Sequence, residues 1–205
     1  MPRTPDDQPR RRAANAHATA VAHAQARGPV LPFYEESESS LVVPRWEREL
    51  AVSHWFLAAA DDGAAVRDQW TKVGAALFEC GGLFSALRIP ADLVEAAAGT
   101  DDLDMVGAFL RTFLTGGAVF LDLHSRNFYA LVPPSTAWMR PGWHHPRVEC
   151  LGRNHYLGIP ETKRTEPRGR SYWCVPMDAP GDLCYPDELE ELLRLGHARI
   201  GENAG

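Results

Sequence analysis

Long apolar segments are missing from this sequence. No apolar run approaches the roughly 20 residues that a membrane-spanning helix needs, and the amino-terminal region has charge but no apolar segment of the kind found in secretory signals. We therefore expect a cytoplasmic protein with no membrane partner. Hydrophobic residues make up 45% of the 205 residues, a normal share for a globular chain, which argues against global disorder.

Paired cysteines are missing as well. The four cysteines are Cys80, Cys150, Cys174 and Cys184, and no two of them form a C-x-x-C pair. Zinc sites usually show such tight paired spacing, so a zinc site here would require the fold to gather distant thiols. The alternative is four reduced, mostly buried thiols.

An excess of positive charge is also lacking. The formal net charge is −6; residues 1–28 carry five arginines against two aspartates, a local balance of +3, so the rest of the chain sums to −9. Neutralisation of phosphate by Lys and Arg supplies most non-specific affinity for nucleic acid. An acidic body is therefore a poor general DNA binder, and any nucleic-acid contact requires a local basic patch.

Composition and periodicity divide the chain into three parts. Residues 1–28 read as a disordered basic, alanine-rich tail, residues 29–45 as an irregular lead-in broken by prolines, and residues 46–200 as one folded domain. Helices are predicted over 46–60, 64–70, 91–98, from 103 after an aspartate cap at 101 or 102, and from 186; strands are predicted over 73–78, 84–89, 118–123, 128–132, 147–151, 156–159 and 172–175. This order is not a regular βαβ alternation, so the predicted class is α+β. In the first helix Trp46, Leu50, His54 and Leu57 repeat on one face.

Two polar residues end a predicted strand. Asp122 and His124 are two positions apart, so on a strand both side chains point to the same side. Such a pair can bind a divalent metal or act as an acid–base couple, and the alternative is an ordinary polar hairpin end. No hydrolase elbow, Walker loop, dinucleotide fingerprint or zinc-protease helix is present, so these residues do not by themselves establish an enzyme.

Two stretches combine basic residues with features of nucleic-acid binders. The densest basic cluster consists of Arg153, His155, Lys163, Arg164, Arg168 and Arg170, which either cradles a phosphate or a nucleic-acid strand or forms a solvated loop. The segment 138–147 interleaves tryptophans and histidines with arginines. It either stacks bases and holds phosphates or is a surface loop anchored by its tryptophans.

Four pieces of the sequence, taken together, resemble one family. They are LFSALRIPA at 83–91, SRNFYALVPP at 125–134, CLGRNHYLGIP at 150–160 and GRSYW at 169–173. Their order and spacing are similar to those of the bifunctional primase–polymerase amino-terminal domain of actinobacteria and their plasmids, over about residues 46–195. The resemblance implies a fold related to the archaeo-eukaryotic primases, with a mixed or antiparallel RRM-like central sheet flanked by helices.

The resemblance also implies nucleotidyl transfer by two Mg²⁺ or Mn²⁺ ions held by carboxylates, with a histidine on the incoming triphosphate. This sequence departs from that pattern. The first acidic position falls at Ser85 and the histidine position at Asn127, while Glu149 stands at the last acidic position. A serine cannot replace a carboxylate as a ligand of Mg²⁺.

The sequence therefore predicts a catalytically degenerate primase–polymerase-like protein, in a DNA replication or mobile-element context, that retains binding of a nucleotide or single-stranded DNA. The expected phosphate-binding residues are Arg126, Arg153, His155, Lys163, Arg164 and Arg170. One alternative is an active metal-dependent nucleotidyltransferase with displaced ligands, namely Asp122, His124 and Glu149. The other is a regulatory module that binds a protein partner and has no nucleotide role.

Overall fold

Local sequence signals set the limits of most elements in the computed structural model, which describes residues 43–139 and 146–203. The predictions for 1–28 and for 29–42 lie outside the described residues. The elements are α1 (Arg45–Ala58), α2 (Gly63–Val73), β1 (Ala75–Glu79), β2 (Ser85–Pro90), α3 (Ala91–Ala98), α4 (Leu103–Phe113), β3 (Ala118–Asp122), β4 (Asn127–Val132), α5 (Thr136–Met139), β5 (Glu149–Leu151), β6 (Tyr156–Pro160), β7 (Ser171–Val175) and α6 (Pro186–Asn203). The class is α+β, as predicted.

The strands form a five-stranded sheet with the order β5-β2-β4-β3-β7 and a two-stranded ribbon of β1 and β6. Every observed pairing between neighbouring strands is antiparallel. Strand β4 lies between β2 and β3, which therefore run parallel to each other, and α3 and α4 connect those two strands. This is a split β–α–β arrangement.

One face of the five-stranded sheet is packed by helices. Successive side chains on a strand point to opposite faces, so Leu87 and Ile89 of β2 share a face with Phe128 of β4 and Leu121 of β3, and all four are buried. Helices α3, α4 and α6 cover this face and form one hydrophobic core with it. We call it the helix-packed face.

The opposite face of the sheet is packed on one side only. Helices α1 and α2 and the β1–β6 ribbon cover that side with a second core rich in aromatic rings. Phe56 of α1, fully buried, contacts the rings of Trp70, Phe78, Phe84 and Trp173 at centroid distances of 5.6–6.4 Å. The remaining half of this face is open.

Capping residues explain where two helices begin. Asp62 Oδ1 accepts hydrogen bonds from the backbone N–H groups of Ala64 and Ala65 at the start of α2. Asp102 does the same for Asp104 and Met105 at the start of α4, which confirms the predicted cap. Such caps satisfy backbone donors that the first helical turn leaves without a partner.

Two features of the amino-terminal half differ from the prediction. Helix α2 runs through Val73 and the strand begins at Ala75, because Gly74 ends the helix in the left-handed conformation with φ +80°. In α1, Trp46 and Leu50 are 66% and 49% exposed. The buried stripe of α1 is Val52 and Phe56 instead, since one side of this surface helix meets the aromatic core. Within the described ranges, no helix has both the length and the apolarity to cross a bilayer.

Candidate functional site

A groove of about 750 Å³ lies between the open half of the five-stranded sheet and the β1–β6 ribbon. We call it the sheet-face groove. The sheet contributes Arg88 from β2, Phe120 and Asp122 from β3, Tyr129 from β4 and Glu149 from β5, and the ribbon and adjoining loops contribute Leu77, His155, Tyr156 and Arg170. Charged and aromatic groups therefore meet in one concave surface, which is the usual setting of a ligand site.

The register of the strands determines which residues form the sheet side of this groove. Glu149, Arg88, Tyr129 and Phe120 are successive cross-strand partners on β5, β2, β4 and β3. Directly opposite residues on neighbouring strands share a face. The neighbours of Arg88 in the chain point to the helix-packed face, so strand alternation directs Arg88 into the groove.

Arg88 and Glu149 form an ion pair in the groove. Arg88 Nη2 lies 2.7 Å from Glu149 Oε2, and both side chains are less than half exposed. His155 Nε2 lies 3.9 Å from Glu149 Oε1, while its Nδ1 lies 3.3 Å from the Gly152 carbonyl oxygen. Since a carbonyl oxygen accepts hydrogen bonds and never donates, Nδ1 is assigned the proton.

An aromatic row crosses the sheet beside this ion pair. The rings of Phe120 and Tyr129 stack with centroids 5.0 Å apart and an interplanar angle of 15°, and Trp173 meets Phe120 edge-on at 5.3 Å. Phe120 and Trp173 are buried, whereas Tyr129 is partly exposed. Burial raises the pKa of the Tyr129 hydroxyl, with Asp122 and Glu149 adding to the increase, so this hydroxyl stays protonated at neutral pH.

The predicted Asp122–His124 pair does not form. Strand β3 ends at Asp122, and His124 lies in the turn, exposed to solvent. Asp122 Oδ1 accepts hydrogen bonds from the backbone N–H groups of His124 at 2.9 Å and Ser125 at 3.3 Å. His124 does not lie on the strand, so the strand alternation that predicts a common side does not apply to it. The Asp122 carboxylate instead organises a tight turn, as aspartates at hairpin ends often do.

The three candidate catalytic residues do not converge. Asp122 lies on β3 and Glu149 on β5, three strand spacings apart across the sheet, or about 14 Å between backbones. A single Mg²⁺ needs its oxygen ligands at about 2.1 Å, so these two carboxylates cannot share one ion in this arrangement. Across residues 43–139 and 146–203, no group of three or more His, Cys, Asp or Glu side chains is placed to hold a metal ion.

The predicted phosphate-binding residues separate into two groups. His155 and Arg170 line the sheet-face groove. Arg126, at the β3–β4 turn, is paired instead with Glu95 at 2.6 Å. Arg153 and Lys163 are exposed and do not belong to the groove lining.

Arg164 and Arg168, also in the predicted basic cluster, have local contacts. The guanidinium of Arg164 lies against Gly74, where a side chain would overlap it. Its Nε is buried without a hydrogen-bond partner. Arg168 is paired with Glu166. The structure therefore places Arg164 at the carboxyl end of α2, where a cation is favourable to the helix dipole.

Ser85 and Asn127, where the resemblance leads us to expect an acidic residue and a histidine, lie at opposite ends of the β2–β4 pairing. Ser85 is fully buried and alternates with Ala86 and Arg88, so it belongs to the helix-packed face. Its Oγ is 3.5 Å from the Pro134 carbonyl oxygen. Asn127 Nδ2 donates to the Ser125 carbonyl oxygen at 2.9 Å and so closes the β3–β4 turn.

The cysteines are separate from the groove. Burial raises the pKa of Cys174 to about 11 and that of Cys80 and Cys184 to about 12. These thiols therefore stay protonated at neutral pH, whereas the nucleophile and the metal ligand are the thiolate. Cys150, on β5, is partly exposed.

Sequence reasoning missed Arg88, Tyr129, Phe120 and Tyr156. One signal was available for Arg88, which is a charged residue between two apolar residues of a predicted strand and thus marks a face that is not core. The segment 138–147 is described in part. Trp138 is 77% exposed and its Nε1 donates to the Pro134 carbonyl oxygen at 3.1 Å, while 140–145 lie outside the described residues.

Comparison with known proteins found no match. No protein-family model matches the chain, and neither the curated proteins nor the solved structures contain a significant match to it.

Proposed function

We propose that this protein binds a nucleotide or a single-stranded nucleic acid in the sheet-face groove, as a primase–polymerase-like protein that does not transfer nucleotides. One observation carries the proposal: an arginine, Arg88, and the stacked pair of Tyr129 and Phe120 stand side by side on the open half of an antiparallel sheet.

The groove offers partners for both parts of a nucleotide. The ring of Tyr129 stacks against the buried ring of its cross-strand partner Phe120, and Tyr156, 61% exposed, presents a second ring from the ribbon. Base–aromatic stacking contributes about 1–3 kcal/mol per base and tolerates any sequence. Arg88 and Arg170 provide N–H donors for phosphate. RRM sheets bind RNA in this way, with aromatic rings on the open face of a four-stranded sheet.

The placement of the carboxylates favours binding over nucleotidyl transfer. Two-metal transfer uses carboxylates that hold ions about 4 Å apart, and Asp122 and Glu149 are separated by two intervening strands. Glu149 also already neutralises Arg88. A role in DNA replication or on a mobile element, in the cytoplasm, fits such a binding module.

Titration of a fluorescent single-stranded oligonucleotide with the full chain tests the proposal. Arg88→Gln should weaken binding by about tenfold, because a hydrogen bond to a charged group contributes about 1.5–3 kcal/mol. The matched control is Arg194→Gln on α6, an exposed arginine that is also paired with a glutamate, Glu191. Equal affinities of the two variants, or no binding by the parent chain, would overturn the proposal.

Two further measurements separate the alternatives. Nucleoside triphosphates, with and without Mn²⁺, should raise the melting temperature by mass action, since a hundredfold excess over Kd adds about 2.7 kcal/mol. Primer extension with Mg²⁺ or Mn²⁺ should give no product. Extension that Glu149→Ala abolishes would establish an active nucleotidyltransferase instead. The absence of any nucleotide effect would favour the regulatory module with a protein partner.

A further inference from the structure

A second cavity, of about 380 Å³, lies at the β7 edge of the five-stranded sheet. Helix α1, helix α4, the segment around 162–165 and the segment 176–178 meet there. We call it the β7-edge cavity. None of its lining residues belongs to the sheet-face groove, so it is a separate site, and its volume falls in the range of small-molecule pockets.

Three arginines line this cavity: Arg45 and Arg48 from α1 and Arg111 from α4. Their attachments differ. Arg45 Nε lies 2.7 Å from Glu49 Oε1 on the next turn of the helix, whereas Arg48 Nη1 is 3.8 Å from Asp178 Oδ1. The Arg48 pair is near the limit of an ion pair, and 48% of the arginine side chain and 79% of the aspartate side chain are exposed.

Arg111 is held by the backbone rather than by a carboxylate. Its Nε donates to the Cys174 carbonyl oxygen, 3.1 Å away, on β7. This bond uses one of the five N–H donors of the guanidinium, and the two terminal nitrogens carry the other four. The Arg111 guanidinium is thus fixed to the edge of the sheet. The cavity lining contains three guanidinium groups and two carboxylates, those of Glu49 and Asp178, so it carries an excess of positive charge.

The rest of the lining is apolar or carries a hydroxyl group. Val52, Trp173 and Met177 are buried core residues that reach the cavity, and Thr162 and Thr165 line it as well. Ser53 and Thr162 share a hydrogen bond of 2.8 Å. A ligand that matches this lining has an oxyanion at one end and a compact apolar body at the other.

We propose that the β7-edge cavity binds a small organic phosphate, with the phosphate on Arg48 and Arg111 and the apolar body against Val52 and Met177. A phosphate presents several oxygens and can therefore bind more than one guanidinium group at once. A carboxylate has only two oxygens, so a phosphate matches a cluster of arginines better. The site is independent of the groove. Its occupant does not have to be a nucleotide.

Calorimetric titration of the full chain with phenyl phosphate tests this inference, with inorganic phosphate and benzoate as comparison probes. Phenyl phosphate should bind saturably and more tightly than inorganic phosphate, because it also covers the apolar lining, and more tightly than benzoate. Arg48→Gln should weaken the binding of phenyl phosphate by about tenfold, or about 1.4 kcal/mol. Arg88→Gln in the groove should leave it unchanged, so the result does not depend on the proposed function.

A second variant guards against a folding defect. Arg111→Lys keeps the positive charge but replaces the planar guanidinium with a single ammonium group. The variant should therefore bind phenyl phosphate more weakly, while its melting temperature in buffer stays close to that of the parent. Three results would overturn the inference: no saturable binding of phenyl phosphate, equal binding by the parent and Arg48→Gln, or equal affinity for benzoate.

Discussion

Arg88 and Glu149 are cross-strand partners whose charged groups lie 2.7 Å apart at the centre of an open groove. Partly exposed ion pairs contribute little to stability, with a median below about 1 kcal/mol. This pair is therefore better understood through its effect on ligands than through its effect on folding. The carboxylate competes with a bound phosphate for the N–H donors of Arg88.

Glu149→Gln should tighten single-stranded oligonucleotide binding by about fivefold, because a unit charge 4 Å from another contributes about 1 kcal/mol in water. Unfolding free energy should change by less than about 1 kcal/mol. Fluorescence anisotropy at fixed salt measures the first effect and urea denaturation the second. Glu191→Gln, which removes the exposed partner of Arg194 on α6, is the matched control and should leave affinity unchanged. Weaker binding by Glu149→Gln would instead mean that the carboxylate itself contacts the ligand.

Two substitutions of Tyr129 separate the contribution of its ring to oligonucleotide binding from that of its hydroxyl group. Tyr129→Phe keeps the ring over Phe120 and should retain oligonucleotide affinity, whereas Tyr129→Leu removes the ring and should cost about 1–3 kcal/mol of binding. The same anisotropy titration reports both. If the phenylalanine variant loses as much affinity as the leucine variant, the hydroxyl rather than the ring is the contact.

Two glycines of α6 should respond to alanine with opposite signs. A methyl group at Gly196 would overlap the Leu93 carbonyl oxygen of α3, whereas Gly201 has open space around it. Gly196→Ala should therefore destabilise the fold by about 1–3 kcal/mol through overpacking. Gly201→Ala should stabilise it by up to about 1 kcal/mol through helix propensity. Urea midpoints of the two variants test the close contact of α3 and α6, and a stable Gly196→Ala would contradict it.

The buried thiols should make the fold sensitive to alkali. Burial raises the pKa of Cys174 to about 11 and those of Cys80 and Cys184 to about 12, from an ordinary 9.0. Above pH 9.0 the unfolded chain loses protons that the folded chain keeps, so this stability is fully present below pH 9.0 and is lost as pH rises towards 11–12.

Urea midpoints measured from about pH 8 to about pH 10 should therefore fall with increasing pH. The fall should be shallower in Cys174→Ala, which has one such thiol fewer, even though the variant starts from a lower stability. A midpoint that is flat across this range would show that the thiols ionise equally in the folded and unfolded chains.

Element types were predictable because their signals are local. Asp102 can cap a helix whatever lies around it, and the four residues between two apolar runs at 118–123 and 128–132 suffice to predict a hairpin. Which face of an element is buried depends on its partners in space. Trp46 and Leu50 therefore appeared to share a structural face in the sequence but are exposed in the structure.

The site was less predictable for the same reason. The groove forms where β5 pairs with β2 and where the β1–β6 ribbon partly covers the sheet, and both strand pairings join segments 61–85 residues apart in the chain. Arg88 and Glu149 become neighbours through that pairing, whereas the Asp122 carboxylate accepts a hydrogen bond from the backbone N–H of His124 in a turn. The residues predicted to bind phosphate are also dispersed, since Arg164 packs on Gly74 and Arg126 pairs with Glu95.

The two faces of the central sheet have a consequence for how this protein can change. The same strands supply buried residues such as Leu87 and Phe128 to one face and groove residues such as Arg88 and Tyr129 to the other, at alternate positions. Substitutions at the groove positions therefore leave the main core intact. The domain is suited to act as a scaffold on which new binding specificities are selected from libraries restricted to the partly exposed groove positions Arg88, Asp122, Tyr129 and Glu149.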